Sequence, residues 1–125
     1  MLSLKDFKEG VLPLVVFDVE AAGLHGEGFA FGAVVINHRG SIEELQYACW
    51  PGEAEGVLDG HEWVKANVPT LNYNCGTPAN VREKFWENWQ RWKIKGALLV
   101  ADCAWPVETR FLSAPNLPSA ENDWT

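Results

Sequence analysis

The feature that most restricts the fold of this 125-residue chain is the uninterrupted apolar run over residues 12–17. The run is rich in branched and aromatic side chains, which is typical of a strand buried in the middle of a sheet. It leads into two carboxylates, Asp18 and Glu20, with Val19 between them. Because successive side chains on a strand point to opposite faces, the two carboxylates must share one face. The sequence therefore predicts a buried strand over 12–20 that ends in an acidic pair.

This acidic pair predicts a metal site. Two like charges are costly to bury side by side unless something positive neutralises them, and a hard divalent cation with oxygen ligands is the usual neutraliser. The segment Ala21, Ala22, Gly23 and Leu24 follows directly, and a glycine-rich turn over 25–28 then allows a substrate to approach the backbone closely. Pair and turn together indicate metal-dependent chemistry. The alternative is that the two acids are solvated charges at a strand end.

Two more strands are predicted over 29–37 and 42–50. A tight turn over 37–40 separates them, and strands joined by such short connections are antiparallel neighbours. Polar and apolar residues alternate only loosely in the third strand, so we expect it to lie nearer an edge of the sheet. The chain therefore begins with three antiparallel strands.

Helices are predicted in the second half of the chain. A short one is expected over 61–67, and Thr77 with Pro78 is a favourable start for an amphipathic helix over 78–93. Its apolar stripe consists of Val81, Phe85, Trp89 and Trp92. Trp86 lies off that stripe, so it is interpreted as part of a contact surface.

A fourth strand, predicted to be buried, is expected over 97–101, with Asp102 at its carboxyl end and a helix that opens at Pro106. The inner face of that helix carries Val107, Phe111 and Leu112. A helical crossover makes the fourth strand parallel to an earlier one, which we expect to be the first. Since sites gather at carboxyl ends where strand order switches, Asp102 is expected to join Asp18 and Glu20. Alternatively, Asp102 is only the N-cap of the following helix.

The composition excludes some classes of function. The net charge of −7 and the pI of about 4.8 argue against a protein that coats long duplexes by neutralising phosphates. A nuclease remains compatible, because bound metal ions reverse the local sign of a carboxylate site. No apolar run approaches the roughly 20 residues of a membrane span, and the N-terminus lacks a signal-peptide pattern, so a cytoplasmic protein with no membrane partner is expected. The three cysteines are expected to be reduced.

Two segments carry a family resemblance. Residues 16–24 resemble the first motif of the DEDD superfamily of 3′–5′ exonucleases: Asp-x-Glu, two small residues, Gly and Leu. Residues 101–112 resemble the second motif, in which a strand-end Asp precedes a helix with a Phe-Leu pair. The resemblance covers roughly residues 12–114. It implies an α/β fold of the ribonuclease H-like type, with a mixed sheet in the order three antiparallel strands, helix, parallel strand, helix.

The resemblance also implies an activity. Asp18, Glu20 and Asp102 would be the catalytic metal ligands for two Mg²⁺ or Mn²⁺ ions, in hydrolysis of phosphodiester bonds from the 3′ end of single-stranded DNA or RNA. The substrate-binding residues would be Ala21, Ala22, Gly23 and Leu24. Within that group, Leu24 would wedge against the terminal bases.

The chain departs from the family pattern in two ways. The family usually has Thr at one or both of the positions held by Ala21 and Ala22. Its third motif, a general-base His or Tyr and a fourth metal-binding Asp on a later helix, has no counterpart, since Asp123 is not within such a helix and every His lies elsewhere. We therefore expect a single exonuclease-like domain over 1–125, C-terminally incomplete and impaired in activity.

Two other functions stay open. The fold would serve as a non-catalytic module that binds a partner, or that forms a homo-oligomer through the apolar surface exposed by an incomplete sheet face. Less expected is a different ribonuclease H-like enzyme, such as an endonuclease or transposase fragment. The positions of the cuts distinguish an exonuclease from an endonuclease.

Overall fold

A computed structural model describes residues 13–37, 40–101 and 106–113 of the chain. The regular elements, in chain order, are β1 (Leu14–Ala21), β2 (Gly28–Ile36), β3 (Ile42–Ala48), a 3-10 turn (Pro51–Glu53), α1 (Leu58–Asn67), α2 (Pro78–Ile94), β4 (Leu98–Val100) and α3 (Val107–Leu112). In this part of the chain no helix has the length and apolar character needed to cross a membrane.

The four strands form one mixed sheet in the order β3-β2-β1-β4. β1 pairs antiparallel with β2, and β2 pairs antiparallel with β3. β4 pairs parallel with β1, from Leu14 opposite Leu98 to Val16 opposite Val100. The expectations of an α/β sheet, of an edge position for the third strand and of a parallel pair between the first and fourth strands are confirmed.

The fourth strand is shorter and more exposed than the sequence predicts. It covers only Leu98–Val100, and Leu98 and Val100 are 38% and 36% exposed. The prediction of a buried strand was wrong because β4 lies at an edge of the sheet, where its apolar composition does not imply cover on both faces. The parallel pairing with β1 nevertheless holds over all three residues.

The long helix α2 follows the predicted limits closely. Thr77 caps it, since its side-chain oxygen accepts a hydrogen bond from the Asn80 N–H at 3.2 Å. Trp92 is buried as predicted, but Trp86 is buried too, so its assignment to a contact surface was wrong. The Trp86 ring packs edge-on against Phe85, with the ring centroids 5.3 Å apart. The buried stripe of α2 is therefore wider than the narrow seam predicted from helical spacing.

One face of the sheet carries the core. Phe85 of α2 contacts three rings from other elements, with centroid distances of 5.5 Å to Phe17, 5.5 Å to Phe31 and 5.8 Å to Phe111. These rings come from β1, β2 and α3 respectively. Aromatic packing therefore docks both α2 and α3 on the same side of the sheet, and this fixes α3 beside β1.

Among the described residues, the side chains on the opposite face of the sheet are largely exposed, and we call this face the open sheet face. Side chains that alternate with the buried ones point to it, and their strand registers match. Its exposed apolar residues are Val16, Val34, Ile36, Ile42, Leu98 and Val100. A contiguous apolar surface of this kind on a sheet is typical of a binding or association surface.

Candidate functional site

The acidic pair lies on β1, at the carboxyl half of the central strand. Asp18 is exposed and Glu20 is half-buried, while the intervening Val19 is buried on the core side. Both carboxylates therefore share the open sheet face, as the strand period predicted. Asp18 pairs with Gly32 of β2, where the lack of a side chain leaves open space beside the carboxylate.

A third carboxylate reaches this strand from α3. Glu108, in the first turn of the helix, is only 6% exposed, and its Oε1 accepts a hydrogen bond from the Val19 N–H at 3.3 Å. The ladder between β1 and β4 ends at Val16 and Val100, so the Val19 amide lies beyond the last paired residue. The Glu108 side chain thus satisfies a buried backbone donor of β1 that lies beyond the residues paired with β4 in the described part of the chain.

The pKa values show that these acids interact. Burial raises the pKa of Glu20, and the negative charge of Asp18, a hydrogen bond with the Asp18 carboxyl group and the charge of Glu108 raise it further. Burial also raises the pKa of Glu108, with further contributions from Asp18, although hydrogen bonds from backbone N–H groups oppose the shift. Asp18 contributes to both shifts, so the three carboxyl groups form one electrostatic cluster.

Sequence reasoning placed only part of this cluster. Asp18 and Glu20 come together as predicted, whereas Asp102 lies outside the described residues and its position stays a prediction. Glu108 was missed, because only Val107, Phe111 and Leu112 were assigned to the inner face of its helix. The available signal was its spacing: Glu108 stands three residues before Phe111 and four before Leu112, which places it on their inward face.

The donor chemistry of the cluster suits a hard cation, but its arrangement is incomplete. Carboxylate oxygens are the ligands that Mg²⁺ and Mn²⁺ prefer. The pKa values of Glu20 and Glu108 are raised first by burial and then by neighbouring carboxylates, and a cation would favour the ionised form of both groups. Across residues 13–37, 40–101 and 106–113, however, no three His, Cys, Asp or Glu side chains are placed to hold a metal ion together. Cation binding would therefore require the carboxylates to move closer.

A cavity of about 680 Å³ opens beside Glu20. All four residues predicted to contact substrate line it: Ala21, Ala22, Gly23 and Leu24. Leu24 is 63% exposed, and Trp63 of α1, another lining residue, is 53% exposed. The lining of the cavity therefore combines Glu20 with exposed apolar side chains.

Glycines hold the wall of this cavity in shape. Gly23 has a φ of +93°, which L side chains rarely adopt, and its carbonyl accepts a hydrogen bond from the Gly26 N–H at 3.0 Å. A Cβ added to Gly60 in α1 would collide with the Ala22 carbonyl oxygen. The start of α1 therefore packs directly against the turn after β1, which is possible only for a residue without a side chain.

An ion pair anchors the same turn to the core. Arg82 of α2 is buried, and its Nη1 donates to Glu27 Oε2 at 3.2 Å. Glu27 Oε1 accepts the Glu55 N–H at 2.9 Å, so one carboxylate joins α2 to the loop before α1. The sequence did not predict this ion pair, because the helical spacing places Arg82 outside the predicted apolar stripe of α2.

A groove of about 790 Å³ lies on the other side of Glu20, over the open sheet face. Asp18, Gly32 and Val34 line it, and Glu20 lines both the groove and the cavity. Glu20 therefore borders both depressions, and Asp18 borders the groove.

The histidines of the described residues differ in their surroundings. His25 is exposed on the turn at the cavity, as the sequence predicted for a loop residue. His61 is tied to the backbone, with its Nε2 2.9 Å from the Ala54 carbonyl oxygen. His61 therefore has a structural contact in the loop before α1.

Comparison with known proteins adds no family assignment. No protein-family model matches the sequence, and no curated protein matches it. Functional inference therefore rests on the residues and their geometry.

Proposed function

We propose that this chain is a metal-dependent 3′–5′ exonuclease domain of the ribonuclease H-like, DEDD type, which acts on the 3′ end of single-stranded DNA or RNA. The observation that supports this most is the cluster of Asp18, Glu20 and Glu108. Two carboxylates of β1 interact with one of α3, and Glu20 of β1 lines both depressions. A bound cation would offset the repulsion that, after burial, raises the pKa values of Glu20 and Glu108.

Each acid has its own part in the proposed mechanism. Bound Mg²⁺ or Mn²⁺ supplies activation of the attacking water and stabilisation of the leaving oxygen. Asp18 and Glu20 hold the cations from β1. Glu108 contributes a third carboxylate, and its hydrogen bond from the Val19 N–H fixes the side chain against the strand that carries the other two. Asp102 remains a candidate ligand from the sequence.

The cavity supports a nucleotide as the ligand. Its 680 Å³ lies within the usual range for small-molecule sites, and Leu24 and Trp63 offer apolar surface to a base beside Glu20. We propose that the terminal nucleotide occupies this cavity, with the backbone of Ala21 and Ala22 beside its sugar. The acidic pair then faces the phosphodiester bond.

We further propose that activity is low. Proton abstraction requires a base within reach of the attacking water. Residues 1–125 contain no counterpart of the His or Tyr of the family's third motif, so hydrolysis by these residues alone would proceed without that group. Slow hydrolysis with Mn²⁺ is the expected behaviour.

The test is a cleavage assay with single-stranded oligonucleotides labelled at the 5′ end and incubated with Mn²⁺. We expect products that shorten stepwise from the 3′ end. Asp18→Asn and Glu20→Gln should reduce the rate by more than about 100-fold, since even residues that only support a metal ligand contribute about 10- to 100-fold. Glu62→Gln, an exposed carboxylate on α1, is the matched control. Internal cuts, or equal rates in all four proteins, would contradict the proposal.

A second candidate function is supported by the open sheet face. Its exposed aliphatic side chains would let two copies pack face to face, and the fold would then serve as a non-catalytic dimerisation module. Absence of cleavage together with a stable dimer would favour this function over the first.

A further inference from the structure

Arg110 occupies a distinctive place beside the carboxylate cluster. It follows Glu108 by two residues on α3, is exposed, and lines the cavity with Glu20 and Leu24. Its Nη1 donates a hydrogen bond to the carbonyl oxygen of His25 across the cavity rim. The helix that brings Glu108 to β1 therefore also brings a guanidinium group to the glycine-rich turn.

The charges around the cavity make this cation important. Its acidic lining residues are Glu20, Glu55 and Asp59, and Arg110 is the only Lys or Arg among the described residues that line it. A phosphodiester that approaches a chain of net charge −7 would meet repulsion from these acids. The positive charge of Arg110, in the same lining, offsets part of that repulsion.

The guanidinium group also has the capacity to bind an anion. It has five N–H donors in a planar fork, a geometry that suits phosphate oxygens, and its Nη1 donates to the His25 carbonyl oxygen. That contact holds the side chain at the rim before any ligand arrives, so less conformational entropy is lost on binding.

We propose that Arg110 binds a backbone phosphate of the single-stranded nucleic acid and thereby sets the strand across Glu20. This inference rests on the proposed function, because it needs a nucleic-acid ligand in the cavity. It adds a substrate-binding residue, and it assigns α3 two tasks at one site: a carboxylate toward β1 and a cation toward the substrate.

The experiment measures affinity for a single-stranded oligonucleotide by fluorescence anisotropy, with Ca²⁺ in place of Mn²⁺ to avoid turnover. Arg110→Gln keeps an amide donor for the His25 carbonyl but removes the charge, and we expect about tenfold weaker binding. The slope of log affinity against log salt should fall by about 0.7. Arg110→Lys should keep most of the salt slope because it keeps the charge.

Arg91→Gln is the matched control, since Arg91 is paired with Glu43 at 2.6 Å and does not line the cavity. A second probe carries one uncharged methylphosphonate linkage at successive positions from its 3′ end. At one position, the methylphosphonate should weaken binding by the wild-type protein. The same probe should bind to Arg110→Gln with the same affinity as the unmodified oligonucleotide. A purely structural role of Arg110 would not produce that coupling.

The outcomes separate the two proposals. If the wild-type protein cleaves from the 3′ end but Arg110→Gln binds like Arg91→Gln, the inference about Arg110 is wrong and the proposed function stands. If the wild-type protein neither binds nor cleaves single-stranded oligonucleotides, both proposals fail. Thermal melting of Arg110→Gln and Arg110→Lys checks that an affinity loss does not come from unfolding.

Discussion

At the scale of single residues, Glu108 links stability to the proposed chemistry. Its side chain accepts the Val19 N–H where β4 no longer pairs with β1, and it interacts with the charge of Asp18. A sheet usually satisfies such a donor with backbone, which carries no charge. Here the Glu108 carboxylate accepts the hydrogen bond instead, so the same group that stabilises the fold would also be able to bind a cation.

Two substitutions separate these roles. Glu108→Gln keeps an oxygen acceptor for the Val19 N–H and removes a charge whose formation the folded protein disfavours, so its free energy of unfolding at neutral pH should match or exceed that of the wild type. Glu108→Ala leaves the N–H buried without its partner and should lower that free energy by about 1–3 kcal/mol. Urea unfolding measures both values. Equal stability of the two variants would show that the hydrogen bond contributes nothing.

At the scale of residues, the sequence predicted correctly those placements that follow from the alternation of side chains along a strand. Asp18 and Glu20 share a face because side chains alternate along any strand. The contact between Glu108 and Val19 spans 89 residues, and it depends on where α3 docks against β1. The spacing from Phe111 indicates the face of α3 on which Glu108 lies, but it does not indicate which group Glu108 contacts.

At the scale of elements, the turn after β1 is held by its neighbours more than by its own sequence. Glu27 accepts from Arg82 of α2 and from the backbone of Glu55, and α1 packs on the Ala22 carbonyl through Gly60. The cavity wall therefore depends on three separate parts of the chain. Loss of one anchor should loosen the wall without removing the sheet.

The Glu27–Arg82 ion pair gives a test of that dependence. Glu27→Gln leaves the buried Arg82 cation without its counter-charge and should lower the free energy of unfolding by about 3 kcal/mol. Glu27→Gln combined with Arg82→Met should cost less than the sum of the single changes, because the two groups interact. A double-mutant cycle from denaturant unfolding measures the coupling. Additive effects would mean that the pair contributes no stability of its own.

The limits of helices were predicted best where the sequence contains a local signal such as a capping residue or a proline. Thr77 and Pro78 fix the start of α2 by a cap and a fixed φ, and the structure begins the helix at Pro78. The start of α1 at Leu58 was missed, because the Gly-rich and acidic segment before it is typical of a loop and the helix has no side-chain cap there. Packing of Gly60 on the turn, a tertiary contact, replaces the missing local signal.

At the scale of the whole molecule, the carboxylate cluster makes stability depend on pH. Folding raises the pKa values of Glu20 and Glu108, so the folded state binds protons more tightly at these sites than the unfolded chain does. Their contribution to stability is fully present below the unfolded pKa of about 4.5, and it is lost as the pH rises through the folded values.

The expected result is a difference between proteins. In EDTA, the Tm of the wild type relative to Glu20→Gln combined with Glu108→Gln should fall as the pH rises from about 4 toward 7. Glu43, whose pKa is lowered by its hydrogen bond with Arg91, acts in the opposite direction but is present in both proteins. At pH values above that range, addition of Mn²⁺ should raise the Tm of the wild type again and should leave the Tm of the double variant unchanged. If the Tm of both proteins changed with pH in the same way, the proposed interaction of the carboxylates in a cluster would be wrong.

The open sheet face predicts self-association. Val34 lies near its centre, between Val16 on β1 and Glu44 on β3. If two copies meet through this face, Val34→Lys should convert a dimer to a monomer, since a lysine at the contact places two like charges together. Sedimentation velocity measures the state directly. Lys65→Glu, an exposed change on α1, serves as the control, and an unchanged dimer in Val34→Lys would place the contact elsewhere.

Global topology was predictable to a large extent, because few arrangements join three antiparallel strands, a helix and a fourth strand. That reasoning placed β4 parallel to β1 and located a site at the carboxyl end of β1. It did not predict that β4 would stop after three residues, which leaves the Val19 amide to a helix side chain. The identity of the third acid in the cluster therefore depended on the length of one edge strand.

The proposed function requires Asp18, Glu20 and Glu108 to move closer and hold a divalent cation together. Titration of Mn²⁺ into the protein, followed by electron paramagnetic resonance of the free ion, tests it most directly. We predict binding by the wild type, at least about tenfold weaker binding by Asp18→Asn, Glu20→Gln and Glu108→Gln, and unchanged binding by Glu62→Gln. Wild-type protein that takes up no Mn²⁺, or the same affinity in the three cluster variants as in Glu62→Gln, would contradict the account.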